Sequence, residues 1–125
     1  MQQTQVQARG ALWRVQLLGG VRAEGLDRVV ERFPTQKTTA LFAYLALHAE
    51  RPHPREELLD LLWPDAPLEA TRNRLNQALS SLRRQFEGPE ADFGSVLLSD
   101  RLTVQVNPAL VVTDVSAFES GRAAA

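Results

Sequence analysis

The sequence predicts an α+β domain: a small antiparallel sheet, then three helices, then a closing β-hairpin. Three observations predict it. Short β-type runs separated by glycine turns occupy the chain up to Phe33, helical periodicity takes over from Pro34 to Phe86, and two further β-rich runs meet at Asp100-Arg101. With 125 residues, 44% of them hydrophobic and 23% charged, the chain has the length and balance of one globular domain. That domain is expected over residues 11–119, between a disordered tail at 1–10 and a frayed end at 120–125.

The elements follow in order. Leu12 to Leu18 alternates as a strand, Gly19-Gly20 turns the chain, and Val21 to Glu24 returns it. A turn over Gly25 to Arg28 leads to a third short strand, Val29 to Phe33. Thr35 after Pro34 is placed to cap the first helix, whose Ala40, Leu41, Tyr44, Leu45 and Leu47 make it apolar on nearly all sides. Pro52 and Pro54 end it, because they remove donors and restrict the residues before them. The second helix, Arg55 to Trp63, opens with Glu56 and Glu57, acids that suit an N-terminal turn, and its Leu58, Leu59, Leu62 and Trp63 make the apolar stripe. Asp65, in the stiff link Pro64 to Pro67, is available to cap the third helix. That helix, Pro67 to Phe86, carries Leu75, Ala78, Leu79, Leu82 and Phe86 at core spacing, and Gly88-Pro89 stops it. Val96 to Ser99 and Leu102 to Val106 then form a hairpin through Asp100-Arg101, although Asp-Arg is not a favoured turn pair. Val111 to Glu119 is apolar enough to pack or to lead onward.

Several chemistries find no support. There is no cysteine, which removes disulfides, thiolate metal sites and thiol catalysis. His48 and His53 flank one connector with no Ser or Asp arranged as a nucleophilic triad, and they read as helix-end or surface histidines. No His/Asp/Glu spacing offers a metal site, and Gly19-Gly20 lacks the pattern of a phosphate-cradling loop. An enzyme is therefore not expected, nor a cofactor. The Gln-rich start, Met1 to Arg9, is not a signal peptide, and the longest apolar stretch, Ala40 to Leu47, is too short to span a bilayer. A soluble cytoplasmic protein without a membrane partner is expected.

The third helix is the informative segment. Opposite its apolar stripe, at about 100° per residue, lie Asn73, Asn76, Gln77, Ser80 and Arg84, flanked by Arg72, Arg74, Ser81 and Arg83. From Ala70 to Gln85 there is no acid, whereas acids crowd both neighbouring segments. A solvated helix face ordinarily mixes both signs. A helix of about eighteen residues is roughly 27 Å long and fits the major groove of B-DNA. Asn and Gln pair with adenine, Arg with guanine, and Ser with either, while flanking arginines hold phosphates. Three helices followed by a hairpin is the winged-helix arrangement, and Arg101 at the hairpin tip is placed to reach backbone or minor groove. Arg55, at the start of the second helix, is a further candidate for phosphate.

The ordered set Leu17-Leu18-Gly19, Arg32 to Lys37, Leu41 to His48, Arg55 to Leu58, Leu61 to Pro64, Arg72-Asn73 and Leu79 to Arg84 resembles the SARP/BTAD type of bacterial transcriptional activators, over about Leu12 to Glu119. The resemblance implies an OmpR/PhoB-like winged helix that binds double-stranded DNA at direct repeats, with two molecules side by side as a homodimer on DNA. It also implies that the loop before the third helix, Pro64 to Leu68, touches RNA polymerase; a mere connector is the competing reading of that loop. Two departures stand out. His53-Pro54 replaces the Ser or Thr that often caps the second helix in relatives. Thr113 to Glu119 looks like the entry to an all-helical activator domain, so the chain is either naturally short or the N-terminal piece of a longer regulator.

Two rivals share this fold. The net charge of −1 and the acids around the second helix favour a winged-helix protein-interaction module without DNA binding. A regulatory fragment of a larger signalling ATPase or receptor differs in context only.

Overall fold

The computed structural model describes residues 12–26, 28–87 and 95–115. Chain order gives strands β1 (Trp13–Gln16), β2 (Arg22–Glu24) and β3 (Val29–Val30), helix α1 (Gln36–Leu47), strand β4 (His53–Pro54), helices α2 (Arg55–Leu62) and α3 (Leu68–Phe86), and strands β5 (Leu97–Ser99), β6 (Thr103–Val106) and β7 (Val111–Thr113). The tails 1–10 and 120–125, the helix stop at Gly88-Pro89 and the stretch 116–119 lie outside the described residues.

The N-terminal meander forms as expected, with Arg14 opposite Glu24 and Ala23 opposite Val30. Gly19 and Gly20 hold φ of 84° and 129° in the β1–β2 turn, a region that costs glycine nothing and most residues a steric clash. β7 adds a fourth strand, parallel to β1, with Trp13 opposite Val111. The first and last parts of the fold thus share one sheet, ordered β3-β2-β1-β7. Just beyond β7, both oxygens of the Asp114 carboxylate accept backbone N–H groups of the β1 exit, Leu17 at 2.9 Å and Leu18 at 3.0 Å. Burial pushes this carboxyl up, but these N–H donors outweigh it and the group is held below its ordinary range.

The helices pack on the inner face of that sheet. Thr35 caps α1, its hydroxyl accepting from Thr38 N at 3.0 Å. α1 buries Leu41, Phe42, Leu45 and Ala46, while Ala40 and Leu47 are exposed, so it is sunk on one side and not on nearly all. α3 buries Leu75, Ala78, Leu79, Leu82 and Phe86 as its spacing predicts. Phe86 joins the layers, stacked on Phe42 at 4.6 Å and edge-on to Trp13 at 4.6 Å. The expected cap from Asp65 does not form: the cap position before α3 is taken by Pro67, whose ring carries no hydrogen-bond acceptor, and the helix has no side-chain cap.

Residues 51–54, expected as a plain connector, contain β4. It pairs with β6 (His53 opposite Val104) and makes the hairpin the outer part of a sheet ordered β4-β6-β5. His53 is consequently not a surface histidine; it is fully buried. Its Nε2 lies 2.9 Å from the His48 carbonyl, and its Nδ1 lies 3.4 Å from Glu57 Oε2. The same Glu57 oxygen accepts from the Tyr44 hydroxyl at 2.7 Å and from Arg51 at 3.3 Å. The hydroxyl of Tyr44 is the main reason that the Glu57 carboxyl titrates below its ordinary value. This polar knot locks the end of α1 to the start of α2.

Candidate nucleic-acid interface

α3 is the longest of the three helices, 19 residues and so about 28 Å. Arg72, Asn73, Arg74, Asn76, Gln77, Ser80 and Arg84 are exposed along it, and Ser81 and Arg83 are half-buried. The helix presents two flanks. On one, Arg72 and Asn76 look across an open groove of about 890 Å³ toward the wing, whose side is formed by Ser99, Asp100, Arg101 and Leu102. On the other, Arg74, Gln77 and Ser81 line a smaller cleft against Thr35 and Lys37 at the start of α1. Between them Asn76, Gln77, Ser80, Ser81 and Arg84 share a shallow depression. The structure therefore brings the five expected base-facing residues onto one side of one helix, with Arg72 and Arg74 at its margins.

The wing is organised by an acid. The hairpin loop runs over Asp100 to Leu102, one residue longer than the two-residue link expected from the sequence, and Leu102 lies outside the strand. Asp100 Oδ1 accepts the N–H groups of Leu102 and Thr103, each at 2.8 Å, in the manner of an Asx turn. These backbone donors, that of Thr103 first, hold the carboxyl below its ordinary range. The side-chain turn explains how an unfavoured Asp-Arg pair closes a hairpin. Arg101 and Leu102 project from it, both exposed.

Two of the arginines assigned to phosphate have partners inside the protein. Arg83, on α3, donates to Glu87 Oε1 at 3.1 Å, to the Leu97 carbonyl at 3.1 Å and to the Ser99 hydroxyl. Glu87 is buried and also accepts from Val96 N and Leu97 N, at 2.9 and 2.7 Å. The end of α3 is thereby riveted to the first wing strand. Arg55 donates through Nε to the Asp100 carbonyl at 2.9 Å and through Nη1 to Asn76 Oδ1 at 3.3 Å, while its backbone N–H reaches the Leu102 carbonyl at 2.8 Å. It lies at the meeting of α2, α3 and the wing.

The electrostatics of the face follow from these bonds. Asp100 in the wing turn and Glu87 beside the first wing strand direct their charge onto the chain's own N–H groups. Glu56 stays on the groove rim and Glu69 on the first turn of α3, both exposed. Sequence reasoning missed Asp100, Lys37 and Thr35 as neighbours of the face. Only the Asp100 turn left a local trace, a turn-forming acid between two β runs. Among the described residues no cluster of His, Asp and Glu could hold a metal ion, and no helix is long and apolar enough to cross a membrane.

Comparison with known proteins bears on this geometry. A family model described as transcriptional regulatory protein, C terminal, matches residues 31–96, which take in all three helices. Among solved structures, Mycobacterium tuberculosis EmbR in complex with a low affinity phosphopeptide is similar in fold, with a TM-score of 0.77 at 22% identity. The match covers 91% of this chain and 30% of that one, so the chain spans under a third of that protein's length. No curated protein sequence matches significantly. The winged-helix fold and the regulatory kinship expected from the resemblance are met by these findings.

Proposed function

The chain belongs to the family described as transcriptional regulatory protein, C terminal, and on that premise we propose that it is a sequence-specific DNA-binding unit of a cytoplasmic transcription regulator, with α3 in the major groove. The observation that carries this reading is the outer face of α3. It exposes Asn73, Asn76, Gln77, Ser80 and Arg84 over three turns without an intervening acid. Asn, Gln, Ser and Arg are the side chains whose donors and acceptors match base edges in that groove. Arg72, Arg74 and Ser81 hold phosphates at its margins, and Arg101 follows the backbone or the minor groove from the wing. Arg55 and Arg83, also candidates for phosphate, tie the wing to the helices at the two ends of the same surface.

Binding as two copies on direct repeats, and contact of the Pro64 to Leu68 loop with RNA polymerase, extend the proposal. The loop is exposed at Pro64, Asp65, Pro67 and Leu68, acidic and apolar together, which suits a basic partner surface with an apolar centre.

Selection from a random duplex pool, followed by affinity for the enriched site at two salt concentrations, tests this. Enrichment of a repeated motif with a steep loss of affinity at the higher salt supports it, because phosphate contacts release counterions. Without enrichment or salt-sensitive binding, the protein-interaction reading gains, favoured by the exposed acids Glu56, Asp60, Asp65 and Glu69 beside α3.

A further inference from the structure

An asparagine on a recognition helix is ordinarily read as an adenine contact. Its amide accepts from the adenine N6 amino group and donates to N7, which requires that the oxygen and the amino group face the base edge together. Asn76 does not meet that condition. The guanidinium of Arg55 lies 3.3 Å from Asn76 Oδ1. Arginine has no acceptor, so the atom turned to it must be the amide oxygen. Arg55 is itself held: Nε bonds the Asp100 carbonyl at 2.9 Å, and its backbone N–H bonds the Leu102 carbonyl at 2.8 Å. The oxygen of Asn76 is therefore drawn toward the groove beside the wing, and the Nδ2 amino group is the end left to face outward.

From this we propose that Arg55 is a positioning residue that sets the base preference of Asn76, turning it from an adenine reader into a donor directed at guanine. An outward amino group offers two hydrogens and no acceptor. The major-groove edge of guanine presents O6 and N7, both acceptors, whereas adenine places its own N6 amino group against the Asn76 donors. The inference rests on the reading proposed above, that α3 faces base edges. It goes further in assigning one residue's specificity to another residue on a different helix, and it makes the wing turn part of the reading apparatus, because Asp100 anchors Arg55.

The test uses the whole chain. Asn76→Ala first locates the base pair that Asn76 reads, as the position whose preference relaxes in pool selection. The wild-type chain is expected to select guanine there, and replacing that guanine with 7-deazaguanine, which lacks the N7 acceptor, is expected to weaken binding about tenfold. This arm needs no change at Arg55 and survives any folding failure. Arg55→Met keeps the aliphatic stem and removes the donors; in the folded variant the same position is expected to move toward adenine, again by about tenfold. Adenine selected by the wild-type chain overturns the proposal. So does guanine retained by Arg55→Met with a uniform loss across all sequences, which would make Arg55 an ordinary phosphate contact. If the wild-type chain enriches no motif, the base-reading function fails and the inference falls with it.

Discussion

Arg83 and Glu87 form an ion pair of 3.1 Å across one turn at the end of α3, and the carboxylate of that pair is almost fully enclosed, its side chain 1% exposed. Around it Glu87 accepts the N–H groups of Val96 and Leu97, and Arg83 donates to the Leu97 carbonyl and the Ser99 hydroxyl. The pair joins the helix that faces outward to the strand that begins the wing. Buried polar groups of this kind are costly to leave half-satisfied, so their removal reads out as stability.

Glu87→Ala removes the carboxylate partner of the Arg83 guanidinium and the acceptor of two backbone donors at once. The expected loss is about 3–5 kcal/mol in urea unfolding. Arg83→Met is expected to lower stability as well, and to leave the salt slope of DNA binding unchanged. A slope reduced by about one would instead make Arg83 a phosphate contact.

Gln77 is exposed at the middle of α3, has no side-chain hydrogen bond among the described residues, and lies in both the shallow depression and the cleft toward α1. Gln77→Ala is expected to cost about 1–3 kcal/mol on the preferred duplex and to relax one base position. Equal weakening on every sequence would remove Gln77 from the base-facing set. The measurement is a competition titration against single-base variants of the selected site.

Tyr44→Phe removes the hydrogen bond between the Tyr44 hydroxyl and Glu57, the main cause both of the lowered Glu57 carboxyl and of the raised Tyr44 phenol. A carboxyl held below its unfolded value contributes stability above that value, about pH 4.3, which is lost as pH falls through the folded one. A phenol held above its unfolded value contributes stability below about pH 10, which is lost as pH rises through the folded one. The difference in Tm between wild type and Tyr44→Phe should therefore be largest across the neutral range and shrink toward both extremes. A difference independent of pH would mean that the bond is not coupled to either titration.

Asp100→Ala removes the acceptor for the N–H groups of Leu102 and Thr103. Faster hydrogen exchange at those two amides and weaker DNA binding are expected, with little change in Tm because the loop is exposed. Asp100→Asn keeps an acceptor oxygen and should preserve most of the protection. Unaltered exchange in Asp100→Ala would show that the hairpin closes without its side chain.

The succession of meander, three helices and hairpin, the cap at Thr35 and the buried stripe from Leu75 to Phe86 were legible in the sequence, because each depends on neighbours within a turn or two of chain. Periodicity of 3.6 or 2 is a local property, and a helix that buries one face declares the other. The exposed row Asn73, Asn76, Gln77, Ser80 and Arg84 is the complement of that stripe and was legible for the same reason.

What only the tertiary structure decided involves residues far apart in the chain. β4 at His53–Pro54 is a strand solely because β6 lies beside it, and two prolines nearby hid it. β7 joins β1 in parallel across most of the sequence, a pairing that no local pattern encodes. The fates of Arg55 and Arg83 belong to the same class. As letters both are exposed cations near an outward face; in the fold their guanidiniums meet Asp100, Asn76, Glu87 and Ser99. A sequence states which donors a side chain carries, and the acceptors it meets are fixed only when distant segments have packed.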